Sequence, residues 1–290
     1  MKPEVFFEKV SERKLDALRR IAIVSDVELK HRPSLSPEYE FSKYEGMTEK
    51  DYFFFDEVDF SEDITYCFRF ELGEYGYRVE NEDDLYPAKD DMGTGEFKLQ
   101  VGAFDRRRRT CEIRGSLHGS TFDINGEFVD PELNYKITGV SAEQKIKLSL
   151  FQELLLEGYL LELEGNQRMS FFSYFTAMES FVTVQLEGFV QSLTSELQEP
   201  FERLPFDAKL RIYAKELLST TDFSKVPVWS ELSGKLKRLK SLRNDIAHAK
   251  GTTSNIAAQD VDDAFACACI LFSLAPERTN WKPVYSYLLA

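Results

Sequence analysis

The sequence predicts an α+β protein with an antiparallel β-rich domain over residues 1–141 and an all-helical bundle over residues 142–290. Two observations support this division. Apolar residues recur with a period of two between residues 52 and 140, and with a helical period from about residue 143 onward. The chain has 290 residues, of which 43% are hydrophobic, so it can bury a substantial core without disulfides or structural metals.

The clearest strand lies in ITYCFRFEL at 64–72, where every second residue is Ile, Tyr, Phe, Phe or Leu. The same alternation recurs at 97–103, 111–117 and 122–128. Short connections at 105–109 and 118–120 predict that these strands form an antiparallel meander.

The flanking parts of this half are less regular. We expect an earlier strand in DYFFFDEVDF at 51–60 and an exposed loop at 81–96, which is rich in Asp, Glu and Gly. Residues 8–20 fit a helix and residues 21–30 fit a strand.

The second half contains long amphipathic segments with few breaks. An aromatic-rich helix is predicted over 166–198, ended by Pro200. Three further helices are predicted at 207–218, 230–249 and 257–275, the last capped by Asn255 and closed by Pro276. Short connections favour a four- or five-helix bundle.

Charge is distributed unevenly along an acidic chain with a net charge of −14. Residues 45–97 contain four basic and 17 acidic residues, whereas residues 225–250 contain seven basic and two acidic residues. The overall acidity argues against nonspecific coating of nucleic acid. The basic segment still permits a small, directed anion site.

The sequence carries no signal for membrane insertion or secretion. No apolar run approaches the length of a membrane span, and no apolar core follows the first lysine. The four cysteines lack regular spacing, so no disulfide framework is expected. We therefore expect a cytoplasmic protein with no membrane partner.

The most informative run is Arg243-Asn244-Asp245-Ile246-Ala247-His248, at the end of an amphipathic helix. Asn244 and His248 are four residues apart and share a helix face. A proton-transfer group, a permanent cation with a forked donor and a neutral amide together suit transfer at a phosphodiester. The alternative is an ordinary helix end with solvated polar residues.

This run resembles the R-x4-6-H motif of the HEPN superfamily (higher eukaryotes and prokaryotes nucleotide-binding), in which the residue after the arginine is commonly Asn. The order of helices over residues 143–275 is also similar: a long aromatic-rich helix comes early, and one further helix follows the motif. The resemblance covers under half of the chain.

The resemblance implies a metal-independent endoribonuclease without a cofactor, acting as a homodimer through the helical half. Two motifs would then face each other to form one site, where the substrate's 2′-hydroxyl attacks the adjacent phosphate. By this analogy His248 transfers protons, Arg243 stabilises the phosphate and Asn244 orients it. Some toxin branches carry Tyr two residues after the histidine, where this chain has Lys250.

Basic residues flank the motif and are candidates for binding the RNA backbone, with a solvated helix face as the alternative. Lys235 is one such residue, and Glu179 on the long helix is either an acid close to the site or a surface carboxylate. The predicted substrate-binding residues are Lys237, Arg238, Lys240 and Lys250.

Other polar clusters are weaker candidates. Arg106 to Arg109 form either a nucleic-acid contact or a solvated turn. His118 is expected in a hairpin turn, His31 in a loop, and Cys267 and Cys269 in the core. Asp83, Asp84, Asp90 and Asp91 are expected in the acidic loop, and no metal site is predicted.

The layout, with a variable region before a HEPN-like bundle, resembles that of Apea-like proteins of bacterial phage defence. This implies a role in defence or toxin-like growth arrest, with the acidic residues 1–141 as a sensor or regulatory domain for a phage-derived or other trigger. The alternative is a non-catalytic binding or scaffolding protein that uses its bundle for dimerisation or ligand binding.

Overall fold

The fold is seen in a computed structural model, which describes residues 2–33, 36–44, 47–78, 85–87, 95–122, 131–218, 222–248 and 256–290. The chain forms two compact units, one of residues 1–24 with 147–290 and the other of residues 25–146. Antiparallel sheets make up the second unit and helices the first, so the predicted α+β class is confirmed.

The first 24 residues correct the predicted domain boundary, because they join the helical unit. They form helices α1 (Pro3–Glu12) and α2 (Lys14–Ile21). The rings of Phe6 and Phe7 lie 5.1 and 5.9 Å from that of Trp281 near the end of the chain. Aromatic packing between residues so distant in sequence is not visible in a local pattern.

The β-rich unit consists, within the described residues, of two four-stranded antiparallel sheets, in the orders β1-β8-β4-β5 and β2-β3-β7-β6. A short helix, α3 (Ala142–Lys145), follows the last strand. The strands are β1 (Ser25–His31), β2 (Ser36–Tyr44), β3 (Met47–Asp59), β4 (Ile64–Arg78), β5 (Leu85–Pro87), β6 (Gly95–Asp105), β7 (Thr110–Phe122) and β8 (Pro131–Ser141).

The predicted meander is wrong, although the antiparallel pairing and most strand positions are right. β4 and β6 belong to different sheets, and β4 pairs along most of its length with β8. Residues 118–120 form no turn, because β7 continues through them to Phe122 in register with β3. Part of the predicted loop at 81–96 is strand β5, and residues 79–84, 88–94 and 123–130 lie outside the described part of the chain.

The two sheets share one apolar core. In β7 and β8 it is built from alternate residues, as period-two patterning requires, whereas register shifts in β4 bring Ile64 and Cys67 to the same side. The buried members are Phe54, Val58, Phe60, Ile64, Cys67, Cys111, Ile113, Leu133, Tyr135 and Ile137.

The helical unit continues after residue 147. Its helices are α4 (Leu150–Leu163), α5 (Gln167–Gln191), α6 (Ser195–Glu202), α7 (Phe206–Leu218), α8 (Pro227–Ala247), α9 (Ala258–Ser273) and α10 (Trp281–Leu289). Two 3₁₀ turns lie at Phe223–Lys225 and Pro276–Arg278. None of the described helices is both long and apolar enough to span a membrane.

Helix α9 lies at the centre of this unit. Eleven of its sixteen residues are buried, and it packs against α1, α2, α5, α8 and α10. Many of its buried residues are alanine or cysteine, so neighbouring helices can approach it closely. Cys267 and Cys269 are fully buried there, as expected.

A buried ionic network joins α2 to the bundle. Lys14 is 8% exposed and donates to the carboxylates of Glu162 and Asp262, the latter at 2.7 Å. The Tyr174 hydroxyl donates to the other oxygen of Glu162 at 2.8 Å. Burial and the Glu162 charge raise the pKa of Tyr174 well above its ordinary value, so this hydroxyl stays a donor.

Two predicted helix ends differ from the structure. α5 ends at Gln191, and Pro200 lies inside the separate helix α6 and does not terminate α5. The N-cap of α9 is Ala257, while the predicted cap Asn255 lies outside the described residues. The predicted helices at 207–218, 230–249 and 257–275 correspond to α7, α8 and α9.

The close approach of α4 to α5 depends on Gly158. A Cβ at this position would lie 2.5 Å from Cε1 of Tyr174, whose ring is fully buried and whose hydroxyl is bonded to Glu162. We expect Gly158→Ala to lower the free energy of unfolding by about 1–3 kcal/mol. Urea unfolding followed by circular dichroism measures this change.

The matched control is Gly188 on α5, where an added Cβ meets no heavy atom within 4 Å. Gly188→Ala should raise the free energy of unfolding by about 0.5–1 kcal/mol, because alanine loses less backbone entropy on folding than glycine. Equal effects of the two substitutions would contradict the packing argument.

Candidate functional site

The motif occupies the C-terminal end of α8. This helix begins at a proline in its first turn and buries a stripe that includes Leu232, Leu236 and Leu239. Arg243 and Asn244 lie beside this buried stripe and are half-buried, whereas His248 is exposed at the C-cap. The backbone N–H of His248 donates to the carbonyl of Asn244 at 3.0 Å, so the helical turn that joins the two residues is intact.

Arg243 contacts α5 as well as its own helix. Its Nη2 lies 3.8 Å from Oε2 of Glu179, and its Nη1 donates to Oδ1 of Asn244 at 3.3 Å. The guanidinium also lies 6.0 Å from the ring centre of Phe175. The side chains of Arg243 and Glu179 remain 38% and 35% exposed, so both are held in place and still reachable from solvent.

Glu179 is therefore close to the motif, as the first of the two sequence interpretations has it. Burial raises the pKa of Glu179, and the nearby cations Arg243, Lys209 and Lys240 lower it by less. The carboxyl therefore takes up a proton more readily than an exposed glutamate does. Phe175 and Glu179 are four residues apart on α5, so the sequence indicates that they share a helix face, but not that this face meets Arg243.

The predicted backbone-binding cations do not form one continuous basic surface. Arg238 donates to Asp260 and Asp263 on α9, and Lys235 lies 3.0 Å from Asp263. Lys240 donates to Asp207 on α7. Two of the four predicted substrate-binding residues are thus engaged in contacts between helices.

The remaining two predicted cations differ. Lys237 is exposed and forms no ion pair with any residue that the structure describes. Lys250 lies outside the described residues, which resume at 256 after the motif. Lys237 is consequently the member of the set that is most available to an anionic ligand.

The arginine-rich hairpin at 105–109 is partly structural, unlike a solvated turn. Arg106 donates from Nε to the Phe68 carbonyl at 3.1 Å and stacks on Phe104. Arg109 has a positive φ of 62° and donates to the Ile64 carbonyl at 3.4 Å. These contacts join the β6–β7 hairpin to β4 in the other sheet, while Arg108 stays exposed.

The other histidines are placed differently from their predictions. His31 is the last residue of β1, and its Nε2 lies 2.6 Å from Oδ2 of Asp56 on β3. His118 lies within strand β7. Asp83, Asp84, Asp90 and Asp91 lie outside the described residues. Among the residues that are described, no group of three His, Cys, Asp or Glu is arranged to hold a metal ion.

Comparisons with known proteins leave this site without a precedent. No protein-family model, curated protein or solved structure matches the chain. The resemblance to HEPN proteins therefore stays an expectation drawn from the motif and the helix order.

The raised pKa of Glu179 predicts how stability depends on pH. Because the folded protein holds this proton more tightly than the unfolded chain, the contribution of Glu179 to stability falls as pH rises through its titration range. Glu179→Gln removes this titration. We expect the variant to gain stability relative to the wild type between about pH 4 and pH 7.

Urea unfolding of both proteins at the two pH values measures this difference. The control is Glu187→Gln, which replaces an exposed carboxylate on the same helix. The opposite result, in which the wild type becomes more stable relative to Glu179→Gln as pH rises, would mean that attraction to Arg243 affects the pKa of Glu179 more than burial does.

Proposed function

We propose that this chain is a metal-independent endoribonuclease of the HEPN type. The observation that carries the proposal is the arrangement at the end of α8. Arg243 is held by Glu179 and Phe175 beside Asn244, and His248 is exposed one helical turn after Asn244. A held cation and an exposed imidazole, five residues apart at one helix end, are groups that can serve transfer at a phosphodiester.

The proposed reaction needs no added nucleophile. The 2′-oxygen of the substrate bonds to the adjacent phosphorus while the bond from phosphorus to the 5′-oxygen breaks, leaving a cyclic phosphate and a 5′-hydroxyl. One proton leaves the 2′-hydroxyl and one reaches the 5′-oxygen. Arg243 stabilises the charge that develops on the phosphoryl oxygens, and Asn244 orients them.

Each proton transfer requires one acid or base group, whereas the chain offers a single histidine at the motif. A twofold-symmetric homodimer through the helical half supplies two copies of His248, one for each transfer. The composite site between two chains is what the resemblance to HEPN proteins implies, and this assignment of the two protons fits it. Glu179 restrains Arg243 in this scheme and contacts no substrate.

The biological setting that we propose is bacterial phage defence or toxin-like growth arrest. The β-rich unit would then receive a phage-derived or other trigger. This part of the proposal depends on the domain layout, in which a distinct unit of residues 25–146 is combined with the helical unit.

A second candidate function is a non-catalytic binding or scaffolding protein. The observation that favours it is the use of Arg238 and Lys240 in ion pairs with Asp260, Asp263 and Asp207. Those cations then stabilise the bundle and contribute little to RNA binding.

His248→Ala tests the proposed chemistry. General acid–base groups contribute about 10²–10⁴-fold in rate, so we expect RNA cleavage to fall by at least about 100-fold, with RNA binding largely retained. Arg243→Ala should reduce both, because it removes charge from the bound phosphate and from the transition state. Gel analysis of cleaved RNA, with mapping of the new ends and with a chelator present, measures the effect.

The control is His31→Gln, which changes a histidine of the other unit that contacts Asp56. It should cleave at the wild-type rate, and the wild type should remain active with chelator. A folded His248→Ala protein that cleaves at the wild-type rate would remove the nuclease assignment from this motif.

The composite site makes activity depend on association. We expect a dimer at micromolar concentration in sedimentation experiments, and a specific activity that falls when the enzyme is diluted below its dimer dissociation constant. A monomer that retains full specific activity would eliminate the two-chain site and leave a one-chain site at His248.

A further inference from the structure

A groove lies beside the motif on α8, between this helix, α7 and the 3₁₀ turn at Phe223–Lys225. Its volume is about 620 Å³, within the usual range for small-ligand sites. Its apolar walls come from Phe206, Leu210, Trp229 and Leu236. All four of these residues belong to the buried core of the unit, so the walls are held in place by packing.

The rim of the groove is basic, in contrast with the acidic chain as a whole. Lys237, Lys240 and Arg211 line it together with one carboxylate, Asp207. Lys240 donates to Asp207, and Arg211 lies 4.0 Å from the same side chain. Lys237, as described above, has no such partner within the described residues. The rim therefore carries more positive than negative charge.

The groove lies on the same side of α8 as Asn244 of the motif. Lys237, Lys240 and Asn244 follow the i, i+3, i+7 pattern of one helix face. At 1.5 Å per residue, Lys237 and Asn244 are about 10 Å apart along the helix axis. Arg243, which contacts α5, follows Lys240 of the groove by three residues, so a single-stranded chain bound at Arg243 reaches the groove within about one or two nucleotides.

We propose that this groove binds an unpaired base of the substrate strand, close to the phosphate held at Arg243. The proposal rests on the proposed nuclease function. An apolar slot with cations at its rim matches a nucleotide, which has a flat apolar base and an anionic phosphate. Lys237 contacts the phosphate of the nucleotide whose base enters the slot.

The chemistry disfavours the other occupants. A paired duplex keeps its bases stacked and cannot place one in a slot. An apolar segment of a protein partner would pack against the walls but would leave Lys237 and the net positive charge of the rim without an anionic partner. Charge complementarity thus selects an unpaired nucleotide.

Gly234 allows the groove to be altered without harm to the fold. It lines the groove, and a Cβ added there meets no heavy atom within 4 Å. Gly234→Gln adds a neutral side chain at the groove wall, leaves the rim charges unchanged and raises helix propensity. The matched control is Gly188→Gln on α5, which also meets open space and is not part of the groove.

Lys237→Gln tests the cation at the rim. Its control is Lys282→Gln, which removes an exposed lysine from α10, a helix that contributes nothing to the groove. Both controls should bind RNA as the parent chain does.

The experiment compares two probes, a decauridylate and a fully abasic ribose-phosphate chain of equal length, by fluorescence anisotropy. The full-length His248→Ala protein is the parent, so that the RNA stays intact. We expect the parent to bind the decauridylate at least about fivefold more tightly than the abasic chain. Gly234→Gln should weaken binding of the decauridylate alone, which removes the difference in affinity between the two probes. Lys237→Gln should weaken binding of both probes.

Cleavage by the wild type is measured in parallel, which separates the two proposals. If Gly234→Gln leaves the ratio of the two affinities unchanged while cleavage still depends on His248, the proposed role of the groove is overturned and the nuclease proposal stands. If the ratio depends on Gly234 but the wild type cleaves no RNA, base binding in the groove is supported and the nuclease proposal is overturned. If Gly234→Gln instead dissociates the protein in sedimentation, the groove holds a second copy of the chain and the proposal is overturned.

Discussion

The position of the motif depends on the ion pairs of one buried carboxylate. Asp263 on α9 is 7% exposed at its side chain and bonds to Lys235 at 3.0 Å and to Arg238 at 2.6 Å. A buried carboxylate without such partners would cost several kcal/mol, so α8 is held in the rotation that presents both cations to α9. With that rotation fixed, the leucine stripe enters the core and Arg243 faces α5. The geometry of the candidate site therefore follows from a contact two turns away from it.

The sequence predicts those parts of the fold that depend on local periodicity. α7, α8 and α9 repeat their apolar residues on one face, and the alternating sequence of β4 marks it as a strand, so their positions could be predicted. Register shifts in β4 place Cys67 in the core, which the alternation did not predict. Alternation shows which face of a strand is buried but not which strand lies beside it. This is why β4 was expected next to β6, although it pairs with β8 about 70 residues later in the chain. Local pattern is equally silent on the neighbours of α1, where the ring of Phe6 packs against that of Trp281.

The candidate site divides in the same way. The proximity of Asn244 and His248 follows from four-residue spacing on a helix and could be predicted. The contact of Arg243 with Glu179 joins two helices and became visible only in the fold. The predicted role of the basic residues in 225–250 is where the structure differs most from the sequence interpretation. Counting charges over 225–250 includes cations such as Arg238 and Lys240, whose partners are carboxylates on α9 and α7.

This use of charge has a consequence for how the protein can bind an anion. A chain of net charge −14 repels RNA at long range, and its few cations on α8 are mostly neutralised by neighbours. Attraction by the summed field is therefore weak, and the affinity must come from contacts made at short range. The end of α8 is suited to this, since Arg243 is oriented in advance by Glu179 and Phe175, and an apolar groove with Lys237 at its rim lies beside it. Such a site favours a ligand that offers both a phosphate and an apolar base over one that offers charge alone.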